Sequence, residues 1–285
     1  MRLIVLNCSH DEALAAHSPY YTPTRAAVRT EAMLVEQARA HIGPDDLLLE
    51  PGCRIDWAAV DTIDVWGWDY EVRERLRRLG APERLLPSDS YIDGLRLLSS
   101  RHTAVALLPM VRADVAETFG ESRIVGSLAE AEAYCRQASP CVFKAPWSCS
   151  GRGLTFAREA LTPEQANRLR RTIDAQGSVV AEPFYAHESD FAIEFTYADG
   201  RLTMERVNTF RCNGRGQYAG NLHEPPPVAP DLLRRVADSL AVRLPALLGN
   251  GYSGPLGVDM MAADGKVHPC VEVNLRNTMG RFPEI

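Results

Sequence analysis

No stretch of this sequence is apolar for the roughly 18–20 residues a membrane helix needs, so no spanning segment is expected. The opening Met1–Asn7 run is too short for a secretion signal and lacks a small-residue cleavage site; it reads as a first buried strand. The seven cysteines are odd in number and contain no Cys-x-x-Cys pair. That argues against a zinc site or a disulfide framework, and scattered reduced thiols fit a cytoplasmic protein. The seven histidines show no His-Glu-x-x-His spacing, and there is no Gly-x-Ser-x-Gly elbow and no Gly-x-x-x-x-Gly-Lys-Ser/Thr phosphate loop. The first strand–helix connection, Asn7–Tyr21, carries no glycine fingerprint, so a Rossmann dinucleotide site is not indicated. Basic excess is missing too: 31 Lys and Arg against 37 Asp and Glu give a net charge of −6. Broad binding to nucleic acid or to an anionic membrane needs the opposite balance.

The chain does have apolar mass. Across 285 residues, 46% are hydrophobic, enough for two or three subdomains. The first part alternates strand signals (Leu3–Leu6, Leu47–Leu49, Ile63–Val65) with helical spacing over Thr24–His41 and Glu71–Leu79, the grammar of an α/β layer with a parallel sheet. Tyr91–Val111 reads as one helix, and Ser127 with Glu130 has capping-box spacing ahead of another. A strand over Pro140–Lys144 leads into a loop of small residues ending at Gly153. Thr162 and Pro163 then open a helix through Thr172. From Ser178 onward the pattern is antiparallel. Phe191–Tyr197 and Leu202–Phe210 flank Asp199-Gly200, and Leu256–Met261 and Val267–Val273 flank Asp264-Gly265, with a helix over Asp231–Leu248 between them.

Chemistry concentrates in two places. Lys144 ends a strand, and Ser148, Ser150, Gly151 and Gly153 follow it; small residues let backbone N–H groups approach a phosphate while a lysine supplies charge to it. By themselves these residues fit a β-turn with a surface lysine equally well. Strand period two places Glu272 and Asn274 on one face, and pairing across the Asp-Gly turn brings Asp259 near Glu272. Two carboxylates and an amide on one face suit Mg²⁺, the other reading being a solvated polar face. Arg276 continues the same period, as a clamp for a substrate carboxylate or phosphate or as a counter-ion for Glu272. Arg211 and Arg215 stand in a polar loop that either meets substrate or only decorates the surface. Cys149 fits small-residue filler better than a nucleophile, and the four tryptophans fit core or cleft lining better than a nucleic-acid platform.

The order strand-Lys144-loop, Glu182-Pro183-Phe184, Asp259, Glu272-Val-Asn274-Leu-Arg276 resembles the ATP-grasp superfamily, from about Ser99 to the C-terminus. The segments Lys-Ala-Pro-Trp-Ser and Asn-Leu-Arg-x-Thr-Met-Gly look like those of bacterial ATP-grasp proteins. The resemblance implies an α/β pre-ATP-grasp domain over residues 1–95, a middle lobe over 96–180 and a C-terminal lobe with the metal site over 181–285. It implies ATP and Mg²⁺ as cofactors. Lys144 would contact phosphate and the adenine edge, with the Ser148–Gly153 loop over the β- and γ-phosphates. Glu182, Pro183 and Phe184 would form the adenine hinge, Asp190 would bond the ribose, and Asp259, Glu272 and Asn274 would hold the metal. Arg101 stands where the superfamily usually has an earlier lysine, and the phosphate loop has two glycines rather than several. Arg276 and Arg211 would act on substrate. Eleven residues follow Asn274, fewer than in many relatives, so a closing helix or lid is expected to be missing. The implied activity is carboxylate–amine (or thiol) ligation through an acyl phosphate, on small-molecule substrates and in a homodimer. Phosphorylation of a small hydroxyl substrate, or nucleotide binding with little turnover, are the alternatives.

Overall fold

The computed structural model describes residues 1–39, 42–148, 153–214 and 216–281. Three sheets follow one another along the chain. The first is parallel, ordered β2-β1-β3, from β1 (Arg2–Val5), β2 (Asp46–Leu48) and β3 (Thr62–Val65). Helices α1 (His10–Ala16), α2 (Arg25–Ala38) and α3 (Tyr70–Arg78) connect and cover it, and α2 and α3 are capped by the side chains of Thr24 and Asp69. The parallel α/β layer is thus as its sequence pattern predicts, with α1 an added element.

The predicted single helix over Tyr91–Val111 is in fact two: α4 (Asp89–Leu98) and α5 (His102–Asp114). The break falls at Ser99–Arg101, where the Arg101 amide leaves the helical ladder to donate to the Pro146 carbonyl at 3.1 Å. A continuous apolar stripe conceals this because the competing partner is tertiary.

The second sheet is antiparallel, ordered β4-β7-β5-β6, from β4 (Arg123–Val125), β5 (Cys141–Lys144), β6 (Leu154–Ala157) and β7 (Val179–Pro183). One face carries Cys141, Phe143, Val179 and Ala181 into a core beneath α6 (Leu128–Ala138) and α7 (Pro163–Gln176). Helix α7 opens with a complete capping box at Thr162 and Gln165. At α6 only half the expected box forms, because the Glu130 carboxylate accepts from the Gly126 amide instead.

The third sheet, β10-β9-β8-β11-β12, comprises β8 (Ser189–Ala198), β9 (Arg201–Cys212), β10 (Tyr218–Leu222), β11 (Gly254–Ala263) and β12 (Lys266–Asn274). Both Asp-Gly turns are present, with φ of 51° and 74° at Asp199 and Gly200 and of 51° and 69° at Asp264 and Gly265. Consecutive positive φ values are what a tight hairpin turn requires. Phe191, Ile193, Phe195, Leu256, Val258 and Met260 alternate onto the face that packs against α5 and α8 (Pro230–Leu248). The intervening residues line a cavity on the other face. No helix among the described residues is long and apolar enough to cross a membrane.

Candidate active site

Lys144 and Glu182 lie on neighbouring strands β5 and β7, on the face turned away from the Phe143 core. Their Nζ and Oε2 atoms are 2.6 Å apart, and both residues are buried. The surface-lysine reading is therefore excluded. Burying two charges is costly unless they pair, so this pair holds a polar floor in place. The loop after β5 closes on itself: the Ala145 amide donates to the Gly153 carbonyl at 2.9 Å. A Cβ at Gly153 would come within 2.5 Å of Ser148 Cβ, so only glycine permits that approach. Ser150 and Gly151, expected to cover phosphates, lie outside the described residues, as do Cys149 and Arg215.

Across the cavity, Asp259 pairs with Glu272. The register of the Asp264-Gly265 turn alone would set Asp259 against Cys270, and an irregularity in the ladder between Asp259 and Met261 moves it to Glu272. The Asn274 amide donates to Asp259 Oδ2 at 3.1 Å. Asn274 is buried and Asp259 and Glu272 are half-buried, so this is not a solvated polar face. Burial, and then the Glu272 and Glu194 carboxylates, push the Asp259 carboxyl up to about 8. Mutually repelling carboxylates in a half-dry recess are what a divalent cation relieves, and two carboxylates with an amide oxygen are hard donors suited to magnesium. No group of three His, Cys, Asp or Glu side chains with metal-binding geometry occurs among the described residues. The fitting set is therefore Asp259, Glu272 and the Asn274 amide.

Arg101 joins the two walls. Its Nη1 donates to the Ala145 carbonyl at 2.5 Å and to Ser148 Oγ at 2.7 Å, while Nη2 donates to Glu272 Oε2 at 2.8 Å. Arg101, rather than Arg276, is thus the partner of Glu272. Arg276 shares the face of Asn274, as its spacing predicts, and donates to Asn274 Oδ1 at 2.9 Å. It also donates to Asp11 on α1, from Nε at 3.1 Å and from Nη2 at 2.8 Å, and from Nη1 to the Asn277 carbonyl at 3.1 Å. Burial pushes the Asp11 carboxyl up, but Arg276 together with His10 and Arg101 outweighs it and holds the group below its ordinary range.

One expectation needs correction. Arg211 is exposed and is absent from the cavity wall, which Cys212, its neighbour on the opposite strand face, does line. Of the expected adenine hinge, the Phe184 amide donates to the Pro140 carbonyl at 2.8 Å, and the Phe184 ring is half-exposed against Phe156. Asp190 lies on β8 beside His187, with Oδ1 and Nε2 3.0 Å apart. That carboxylate raises the His187 pKa above the usual imidazole value.

Several residues of this site were not singled out by sequence pattern. His268, one turn of the strand pattern before Glu272, is buried against Phe119 and Tyr185, and neither ring nitrogen has a hydrogen-bond partner. Burial and the nearby Lys144 charge push it down to about 3. Asp11 and Glu194 were also missed. Strand alternation gave the face of Glu194 but not what stands opposite it.

No protein-family model and no curated protein matches this sequence. Solved structures do. The chain aligns over 98% of its length with D-alanyl-alanine synthetase A from Vibrio cholerae, covering 90% of that chain at 10% identity and a TM-score of 0.58. It aligns over 97% with the Staphylococcus aureus N5-carboxyaminoimidazole synthetase complexed with ADP, covering 70% of that chain at 12% identity and a TM-score of 0.55. An ATP-grasp superfamily protein from Archaeoglobus fulgidus matches over 98% of this chain and 81% of its own, at 13% identity and a TM-score of 0.54. This chain has the ATP-grasp fold. Identities this low fix the architecture alone; the candidate site rests on this chain's own side chains, of which Ser148, Asp259, Glu272, Asn274 and Arg276 line one cavity of about 170 Å³.

Proposed function

We propose that the protein is an ATP- and Mg²⁺-dependent ligase that joins a carboxylate to an amine through an acyl phosphate. The observation that carries this reading is Arg101, whose one guanidinium ties the small-residue loop after Lys144 to the Glu272 carboxylate opposite. Phosphate and metal ligands are thereby brought to one place, on an ATP-grasp fold shared with ligases.

In this assignment Lys144 neutralises phosphate, and Ser148 and Gly153 are the described ends of the loop that covers it. Glu182 and Pro183 line the adenine end, and Asp190 takes the ribose hydroxyls. Asp259, Glu272 and Asn274 would hold magnesium, which supplies charge neutralisation to the triphosphate when bound. A substrate carboxylate oxygen attacks the γ-phosphorus as the bond to the ADP oxygen breaks; the amine then attacks the acyl carbon of the resulting acyl phosphate, forming the amide bond as inorganic phosphate and a proton leave. Arg101 and Arg276 present fixed guanidinium donors where negative charge gathers on the phosphoryl oxygens, and positioning with charge stabilisation is where such catalysis mostly resides. No covalent nucleophile from the protein is needed.

The test is thermal unfolding with ATP and with ADP, with and without magnesium, for wild type and Lys144→Met. Ligand at about 100 times its dissociation constant adds roughly 2.7 kcal/mol, several degrees in a chain of this size. Because Lys144→Met strands the buried Glu182, the double variant with Glu182→Gln serves as the folded control. The expected outcome is a magnesium-enhanced shift lost in both variants, followed by ADP release only when carboxylate and amine are both present. No nucleotide shift in wild type sinks the reading. A stable phosphorylated product without free phosphate would replace it with a kinase.

A further inference from the structure

Beyond the metal pair the cavity continues into a recess walled by Glu194, Asn208, Tyr218, Thr278 and Gly280. Glu194 projects from β8 and is 1% exposed. The Thr278 hydroxyl donates to its Oε1 at 2.7 Å, while its Oε2 has no hydrogen-bond partner. The carboxyl is closely packed: a Cβ at Gly257 would come within 2.9 Å of Oε2, and one at Gly280 would collide with Oε1. A buried acceptor left unpaired is costly, more so when charged, so its retention calls for a partner.

The neighbouring donors do not supply that partner. Asn208 Nδ2 donates to Asn221 Oδ1 at 2.9 Å, the Tyr218 hydroxyl donates to the same oxygen at 2.8 Å, and Asn221 Nδ2 donates to the Met279 carbonyl at 3.2 Å. Nor do the nearest cations. Arg276 binds Asp11 and Asn274, and Arg281 pairs with Glu205 at 2.7 Å. Glu194, Asp259, Glu272 and Arg276 line the cavity, and Arg101 already pairs with Glu272. Burial outweighs the charges of Arg281, Arg276 and Arg206 at Glu194, and none of the three donates to its Oε2. What the recess lacks is a small donor bearing positive charge and no acceptor, which describes an ammonium group.

Resting on the ligase reading, we propose that this recess seats the amine substrate, a small primary amine or amino acid whose ammonium group binds Glu194 Oε2. Glu194 is then a specificity residue for the acceptor. Burial raises the Glu194 pKa in the empty recess, and a bound ammonium would bring the carboxyl back to its charged form.

The experiment is calorimetric titration of the full chain, with and without saturating Mg-ADP, using ammonium chloride, glycinamide and L-alanine as probes and acetamide and lactate as neutral counterparts. At least one amine is expected to bind wild type, and to bind at least tenfold more weakly to Glu194→Gln, with Mg-ADP affinity unchanged. Glu194→Asp, which withdraws the carboxylate but keeps its charge, should fall between the two. Unaltered melting of both variants certifies their folds. The assignment is overturned if no amine binds, if the neutral counterparts bind equally well, or if Glu194→Gln binds amines like wild type. Failure of Mg-ADP to bind wild type would instead strike the ligase reading, and the nucleotide-free titrations still decide the role of Glu194.

Discussion

Replacing Arg101 by methionine should separate its structural work from its effect on the metal site. The side chain is 5% exposed and makes two bonds to neutral acceptors and one to a carboxylate. At about 1 kcal/mol for each neutral bond and about 2 for the charged one, the loss sums to about 4 kcal/mol. Glu272 is one-quarter exposed and can recover part of its hydration, which lowers the figure to about 3 kcal/mol. An unfolding entropy of about 2 cal/mol/K per residue gives roughly 0.6 kcal/mol/K for this chain, so the melting temperature should fall by about 5 °C in EDTA.

Magnesium should act in the opposite direction. In wild type the guanidinium occupies Glu272 Oε2 and repels a cation there; in Arg101→Met that oxygen is released and the repulsion is gone. Millimolar Mg²⁺ should therefore stabilise the variant more than wild type, partly closing the gap measured in EDTA. Scanning calorimetry of both proteins across a magnesium series reads both effects. If the variant melts within a degree of wild type in EDTA, or if Mg²⁺ raises both equally, then Arg101 is not the bridge described above.

Other perturbations reach the rest of the site. His268 is buried neutral with its pKa depressed to about 3, so the stability it contributes is present above the unfolded value of about 6.5 and is lost as pH falls toward 3. His268→Leu should flatten that acid limb in urea unfolding between pH 6.5 and 4, and an unchanged slope would contradict the assignment. Gly153→Ala puts a methyl against Ser148 and Ala145, which should cost about 1–3 kcal/mol. It should also weaken ATP binding by spreading the loop stems; equal stability and equal affinity in titration would show that the close approach is dispensable.

How far the sequence disclosed this depends on the range of the interaction. The Asp-Gly turns are local and both formed, but the pairing of Asp259 with Glu272 also needs the irregularity between Asp259 and Met261, which the turn does not encode. The helix start read at Thr162 and Pro163 is local and is present, whereas the capping box expected at Ser127 formed only in half. Strands β4 and β6 were not foreseen because they are short and each shows an apolar side chain, Ile124 or Phe156, to solvent. The break before α5 was hidden because its cause, the Pro146 carbonyl, lies 45 positions away. Glu194 was passed over because a lone acid between Ile193 and Phe195 looks like any outward position of a half-buried strand. Only the packing of Gly257 and Gly280 against it shows that its face is closed.

The same distinction explains why an arginine stands at position 101. A lysine would bring the same charge, but an ammonium concentrates its donors on one nitrogen. Here the acceptors are divided between two: Ala145 O and Ser148 Oγ at Nη1, and Glu272 Oε2 at Nη2. Arg276 uses the same property, spanning Asp11 in the first layer and Asn274 on β12. Each guanidinium therefore ties one residue of the proposed metal set to a different part of the chain, Glu272 to the loop after β5 and Asn274 to α1. In that proposal a displacement of either the loop or α1 would be felt at Glu272 or Asn274, because the planar donor group cannot follow one partner without straining its bond to the other. Arg101→Lys should consequently retain charge near the phosphates yet lose this coupling. It should melt below wild type, as Arg101→Met does, but its Mg²⁺ response should stay near the wild-type one where that of Arg101→Met increases.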